Sequence, residues 1–132
     1  MLGNIYQESR YNPAAEETPG KDENGKGLVQ WTYYTRRLGL YEYCGAKYEE
    51  KSKWQNLTKQ LEYIDKELTG SMAGAYSKIK QLLSDEEVES VESARQAALY
   101  ISKHYEMPNE ASAMNDVRQN KAEENFKNLA GK

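Results

Sequence analysis

The chain has 132 residues, with 18 Lys and Arg against 21 Asp and Glu and a formal net charge of −3. This mild acidity provides no cluster of basic side chains for phosphate groups, which argues against a nucleic-acid partner. The single cysteine, Cys44, excludes an internal disulfide framework. One cysteine and one histidine, His104, are too few ligands for the usual zinc site, so we expect no metal or other cofactor.

The apolar interior has to rely on aromatic residues, because eleven Tyr, two Trp and four Met supply much of the available apolar surface. We therefore expect a folded domain with a tyrosine-rich interior or groove. The chain begins without a secretory signal, and no apolar run approaches the roughly 18 residues of a membrane-spanning helix. We expect no insertion into a membrane, and any export has to be supplied by another system.

The first predicted helix is a short apolar turn that runs into Glu8 and is closed by the turn-forming pair Asn12-Pro13. After a loop, Thr32 can cap a second helix, and Gly45 can end it. The body of this second helix contains Arg36, Leu40 and Tyr43.

The next two segments repeat apolar residues every three or four positions, which is the spacing of one helix face. A helix from Ser52 is expected to end before Gly70, and another is expected over 73–83. Their apolar faces consist of Trp54, Leu57, Leu61, Ile64 and Leu68 in the first and of Tyr76, Ile79, Leu82 and Leu83 in the second. Ser84 and Glu87 have capping-box spacing, which predicts a short turn before the next helix.

The clearest helical pattern follows Ser90, which can cap the helix, and Pro108 prevents its continuation. A last helix is expected from about 111 to 129. The apolar faces of these two helices are Val91, Ala94, Ala98, Ile101 and Tyr105, and then Met114, Val117, Ala122, Phe126 and Leu129. Strand signals are confined to a short hairpin within 10–31. The predicted fold is therefore mainly α, in a single domain over 1–132 with at most a short β-hairpin.

Two segments carry residues that suit carbohydrate chemistry. Glu8 ends a partly apolar helix, and a carboxyl that faces a cleft there has its charged form disfavoured, so it can act as a general acid. About twenty residues further on, Gly25–Thr32 supplies flexible backbone, the amide of Gln30 for hydrogen bonding and the indole of Trp31 for stacking on a sugar.

These segments resemble the two strongest motifs of the phage tail lysozyme family, which lies within the lysozyme-like superfamily of goose-type lysozymes and lytic transglycosylases. The first motif is the block Gly-Asn-Ile-x-x-Glu-Ser-x-x-Asn-Pro at 3–13, and the second is Gly-Leu-x-Gln-Trp at 27–31. Weaker similarities follow in the family's order at Arg36-Arg37-Leu38, at Gln60 to Ile64 with Glu67-Leu68, and at Tyr105 to Pro108 with Arg118. The resemblance implies an α+β lysozyme-like fold that is mainly helical.

The resemblance also implies a peptidoglycan hydrolase that cleaves the β-1,4 bond between N-acetylmuramic acid and N-acetylglucosamine, with Glu8 as the general acid. Ser9 is expected to orient Glu8, Gln30 to touch the sugar N-acetyl group, and Tyr105 to contact the substrate. Trp31 is a further aromatic candidate for substrate binding, although packing is its favoured role.

The identity of a second carboxylate is left open by the motifs. The loop acids are Glu16, Glu17, Asp22 and Glu23, of which Asp22 and Glu23, the two closest to Gln30 in sequence, are the chosen candidates. If such an acid directs a water molecule, the enzyme is a muramidase. Without one, the muramyl 6-hydroxyl can attack internally, and the enzyme is a lytic transglycosylase.

A further alternative is a peptidoglycan-binding or tail-structural module without turnover. Only seven residues precede Glu8, so we expect the domain to lack part of the family's N-terminal helix.

The expected partners are peptidoglycan glycan strands. The expected location is a phage virion, or the extracellular cell wall after delivery by another system or as part of a larger protein.

Overall fold

The computed structural model of the chain describes residues 1–83, 90–107 and 114–130. In this part of the chain the regular secondary structure is helical, and the predicted mainly α class is confirmed. The helices are α1 (Leu2–Ser9), α2 (Tyr34–Tyr43), α3 (Lys51–Trp54), α4 (Leu57–Thr69), α5 (Ala73–Leu83), α6 (Val91–Ile101) with a π-helical turn (Ser102–Glu106), and α7 (Asn115–Ala130). None of the helices within the described ranges is long and apolar enough to cross a membrane.

The hairpin expected within 10–31 is reduced to isolated antiparallel bridges, which pair Glu16 with Lys26 and Lys26 with Trp31. No longer ladder forms between these positions in the described structure. The segment between α1 and α2 is therefore an irregular loop that folds back on itself and is held by individual hydrogen bonds.

Contacts between backbones divide the chain into two compact units, with the division falling inside α1 and α4. The terminal unit consists of Met1–Gln7 and Leu68–Lys132, and the loop unit consists of Glu8–Glu67. Both contain buried tyrosine, as the composition predicted, with Tyr105 in the first and Tyr41 and Tyr63 in the second. That the whole chain acts as a single domain stays a prediction.

In the terminal unit, α6 packs against α5 and α7, and the N-terminal residues join this packing. Asn4 is fully buried, where its Nδ2 donates to the Ala98 carbonyl oxygen at 3.2 Å and its Oδ1 accepts from Arg118 Nη1 at 3.1 Å. A Cβ at Gly3 would overlap the carbonyl oxygen of Arg118. The first motif therefore begins with a glycine and an asparagine because the N-terminal backbone lies directly against α7.

A side-chain cap begins α6, and a left-handed residue follows the π-helical turn that ends it. The Ser90 hydroxyl accepts a hydrogen bond from the Ser93 backbone N–H at 3.0 Å, which confirms the predicted cap. The π-helical turn continues the helix to Met107, whose φ of 50° is left-handed. Three predictions lie outside the described residues: the Pro108 stop, the Ser84–Glu87 capping box and the start of the last helix near 111, although α7 itself is present from Asn115.

Two other predictions of the helical pattern need correction. Thr32 does not cap α2, because the capping position is Tyr33, and the Thr32 hydroxyl instead donates to the Gln30 carbonyl oxygen at 2.9 Å. Tyr76, expected on the apolar face of α5, is 41% exposed, whereas Ile79 on the same helix is buried. The predicted stop at Gly45 agrees with its left-handed φ of 62°.

The single helix expected from Ser52 to Gly70 is wrong, because the segment forms α3 and α4 with a break between them. The Asn56 side chain accepts from the Lys59 backbone N–H at 2.9 Å, which starts a new helix. The expected apolar face is also only partly right, since Leu57 and Leu61 are each 49% exposed. The buried face of α4 consists of Gln60, Tyr63, Ile64 and Glu67. Polar residues turn inward here because the loop unit supplies hydrogen-bonding partners for them.

Candidate active site

Glu8 lies in the last turn of α1 and is half-buried. Ser9, which follows it, is buried, and its carbonyl oxygen accepts from the Asn12 backbone N–H at 3.0 Å. Between them, Arg10 and Tyr11 both have left-handed backbone conformations, with φ of 54° and 67°. Adjacent non-glycine residues in this region are uncommon and mark a backbone held by its surroundings. The helix carrying Glu8 therefore ends in a sharply reversed turn of defined shape.

The second motif contains two residues in left-handed conformations, Gly27 and Gln30, with φ of 73° and 51°. Gln30 is half-buried, and its Nε2 donates to the carbonyl oxygens of Ala15 at 3.2 Å and Gly27 at 2.9 Å. The Gly27 backbone N–H donates to the same Ala15 oxygen at 2.8 Å. Both side-chain N–H groups of Gln30 thus donate hydrogen bonds within the loop. Its Oε1 is the side-chain atom that can accept a hydrogen bond from a ligand.

The fully buried Gln60 of α4 joins the two motifs within the loop unit. Its Oε1 accepts from the Leu28 backbone N–H at 2.8 Å. Its Nε2 donates to the carbonyl oxygens of Pro13 at 2.8 Å and Trp54 at 2.7 Å. A single side chain therefore hydrogen-bonds to the turn after Glu8 and to the segment before Gln30.

Trp31 has no exposed surface, and its Nε1 donates to Glu67 Oε1 at 2.8 Å. The Arg36 guanidinium binds both oxygens of the same carboxylate, at 2.7 Å and 2.9 Å. Trp31 also packs on Tyr63, with ring centroids 5.4 Å apart. The structure thus shows the packing role favoured for Trp31. Tyr105, in the terminal unit, is fully buried as well, so neither ring presents a face to a sugar in this conformation.

Asp22 and Glu23, the two candidates for the second carboxylate, differ in their contacts. Asp22 is about half exposed, and its Oδ1 accepts from the Tyr41 hydroxyl at 2.8 Å and lies 3.7 Å from Arg37 Nε. Burial, and then the hydrogen bond to Asp22, raise the pKa of Tyr41 well above its ordinary value, so Tyr41 remains a donor. Glu23 is exposed, and its contact with Arg37 runs through its backbone carbonyl at 3.3 Å.

Glu16 is the loop acid with the most enclosed carboxylate, although no motif distinguishes it from the other loop acids. Its side chain is 7% exposed, accepts from the Tyr48 hydroxyl at 2.9 Å and from Lys51 Nζ at 3.2 Å, and lies 3.7 Å from the Nζ of buried Lys26. Burial alone would raise the pKa of Glu16, but the Tyr48 and Lys51 hydrogen bonds and the lysine charges outweigh it and lower the pKa. These partners lie 10 to 35 residues away in sequence, so no local pattern could reveal them.

We expect Glu16→Gln to lower the free energy of unfolding at pH 7 by roughly 1–3 kcal/mol, because it removes the charge opposite buried Lys26. Because the pKa of Glu16 in the folded protein lies below the usual value of 4.5, its carboxylate stabilises the fold at pH values above 4.5. This stabilisation is lost as the pH falls through the lowered pKa. Thermal unfolding between pH 7 and pH 3 checks both points. The difference between wild type and variant should shrink on acidification, and exposed Glu49→Gln should show little difference at any pH. A constant difference across this range would contradict the assignment.

A groove of about 600 Å³ opens in the loop unit, within the size range of small-molecule sites. Its lining consists of Asp22, Leu38, Tyr41, Glu42, Ala46, Lys47, Tyr48 and Glu49. Glu8 and Gln30 are not among these residues, so the groove is adjacent to the Asp22–Tyr41 pair and is not formed by the two motifs.

The described residues contain no group of three or more His, Cys, Asp or Glu placed to hold a metal ion. Cys44 is half-buried, and burial raises the pKa of its thiol above the ordinary value. The reactive thiolate is therefore disfavoured there.

A family model described as phage tail lysozyme matches residues 1–129 of the chain. The chain therefore belongs to the phage tail lysozyme family, as the two motifs predicted. Its function is lysozyme-like and concerns peptidoglycan, in the setting of a phage tail. Comparisons with curated proteins and with solved structures each found no match.

Proposed function

We propose that the chain is a muramidase, which cleaves the β-1,4 bond between N-acetylmuramic acid and N-acetylglucosamine with Glu8 as the general acid. The observation that carries this proposal is the place of Glu8, half-buried at the end of α1 and followed by a reversed turn, inside a family match that spans both motifs. A glycosidic oxygen needs a proton as the bond breaks and an oxocarbenium-like centre develops. A carboxyl on a rigid element can deliver that proton in a defined direction.

The neighbouring residues would then position the acid and the sugar. Buried Ser9 orients Glu8 at the helix end. Gln30 accepts the N–H of the sugar N-acetyl group through its Oε1, because its own N–H groups are used by Ala15 and Gly27. Fully buried Trp31 would support the wall of the site through its hydrogen bond to Glu67.

The second carboxylate is proposed to be Asp22 or Glu23. Inversion requires about 6.5–9.5 Å between the two carboxyl groups to admit a water molecule, and retention requires about 5 Å. The Asp22 carboxylate is held by the Tyr41 hydroxyl, whereas the Glu23 side chain is exposed. Because a water-directing base must itself have a defined position, these contacts favour Asp22.

Mass spectrometry of the soluble products from purified peptidoglycan tests the proposal. A muramidase releases fragments with a hydrolysed muramyl reducing end. Fragments lighter by one water would identify an anhydro end and a lytic transglycosylase. Sedimentation of the protein with intact peptidoglycan, without released fragments, would instead identify a binding or tail-structural module.

A further inference from the structure

We propose that Tyr33 and Tyr34 form an aromatic binding surface for uncharged sugar rings of the glycan strand. We call these two residues the tyrosine pair. The inference rests on the proposed function, since it names the residues that hold the substrate of that same site. It also assigns the sugar stacking considered for Trp31 to side chains that solvent can reach.

The exposure of these aromatic rings carries the inference. Tyr33 is 54% exposed and Tyr34 is 66% exposed, whereas Trp31, two positions earlier, is completely buried. The tyrosine pair directly follows the second motif, so it is only three to four residues from Gln30. Neighbouring exposed aromatic side chains present apolar ring faces to water at a position where a ligand would cover them.

Neighbouring residues hold the backbone of Tyr33 and contact the ring of Tyr34. The Thr32 hydroxyl donates to the Gln30 carbonyl oxygen at 2.9 Å, and the Arg37 backbone N–H donates to the Tyr33 carbonyl oxygen at 2.8 Å. The Arg37 guanidinium carbon lies 5.8 Å from the centroid of the Tyr34 ring, within cation–π range. A held backbone and a contacted ring reduce the conformational freedom that this segment loses when it binds a ligand.

The charges around the tyrosine pair favour a neutral ligand. Arg37, the cation beside Tyr34, is buried, and its Nη1 donates to the carbonyl oxygens of Thr32 at 2.8 Å and Glu23 at 3.3 Å. Its Nε lies 3.7 Å from the Asp22 carboxylate. This guanidinium is therefore buried, with its Nη1 bound to backbone oxygens, and is not presented to an external phosphate or carboxylate. A pyranose ring needs only an apolar ring face and hydrogen-bonding hydroxyl groups, which tyrosine supplies.

Calorimetric titration with an N-acetylglucosamine hexamer, which carries no peptide stems, tests this surface. The Glu8→Gln background keeps the oligosaccharide intact, so that binding is measured without cleavage. We expect Tyr33→Ala and Tyr34→Ala each to weaken the hexamer affinity by about threefold to tenfold, the range that aromatic contacts provide. Tyr34→Trp should retain the affinity because it keeps a ring at the same position.

Tyr76→Ala is the matched control, because Tyr76 is 41% exposed and has the Lys80 ammonium 5.2 Å from its ring centroid. This variant should bind the hexamer as the background does, and all the variants should unfold at similar temperatures. Unchanged affinity in both Tyr33→Ala and Tyr34→Ala, or no hexamer binding by the background protein, would overturn the inference.

The two proposals can fail separately. If the wild-type chain does not cleave peptidoglycan but the tyrosine variants lose hexamer binding, the muramidase proposal is wrong and the binding surface stands. If the wild type does cleave, Tyr34→Ala should raise KM with little change in kcat, which is the result of losing uniform substrate binding. A loss confined to kcat would contradict the binding role.

Discussion

Replacing Glu8 by Gln is expected to reduce the rate of peptidoglycan cleavage by about 10²–10⁴-fold, the usual contribution of a positioned general acid. The amide has nearly the same size as the carboxyl and keeps its hydrogen-bonding capacity, but it has no proton of suitable acidity to transfer. Because Glu8 is half-buried at the end of α1, the change should leave the helix and the following turn in place. Loss of turbidity of a peptidoglycan suspension measures the rate.

Glu124→Gln provides the control for this experiment, since it makes the same chemical change at an exposed residue outside the groove. Both variants should bind peptidoglycan as the wild type does and should have similar thermal unfolding midpoints. Cleavage by Glu8→Gln at the wild-type rate would remove Glu8 from the mechanism. A variant that cleaves slowly but also unfolds early would indicate a structural role instead.

Gly3→Ala is expected to lower the free energy of unfolding by about 1–3 kcal/mol, as overpacking of a close contact does. The new Cβ would overlap the backbone carbonyl oxygen of Arg118 and lie 3.1 Å from the backbone nitrogen of Ala122. Backbone atoms of α7 cannot rotate away as a flexible side chain would. The N-terminal residues must therefore shift, which also strains the buried hydrogen bond between Asn4 and Arg118. Urea denaturation measures the change.

The same substitution at Gly74 should have the opposite sign. This glycine lies in α5, and a Cβ there would meet no other atom within 4 Å. Alanine in a helix is favoured over glycine by about 0.5–1 kcal/mol, so Gly74→Ala should be neutral or stabilising. If the two variants had equal stability, the close approach of Gly3 to α7 would not be a determinant of stability.

Local chemistry made several helix ends predictable from sequence. Ser90 caps α6 through its own side chain, and Gly45 adopts the left-handed conformation that ends α2. The span of α5 was predicted correctly as well, because its residues repeat at helical spacing without an internal breaker. In each case the determining residues lie within a few positions of the feature that they determine.

Features that depend on distant partners were not predictable in this way. Gln60 and Glu67 are polar residues outside the apolar face predicted for α4, yet both are buried because distant residues supply their hydrogen-bonding partners. Glu16 is one of four loop acids in the sequence, and its enclosure depends on Tyr48 and Lys51, which lie 32 and 35 residues away. The candidate acid Glu8 was recognised from its motif, and its catalytic role stays a prediction.

Because α4 supplies buried polar partners, the two motifs alone are not expected to keep their structure in another protein. Both motifs end by Trp31, but Gln60 and Glu67, which hydrogen-bond to residues in or beside them, come about thirty positions later in the chain. A peptide or a grafted loop with every motif residue intact would lack those partners. Transplanting this site into another scaffold would therefore require α4 as well, because side chains of this helix hydrogen-bond to the motifs and hold their conformation.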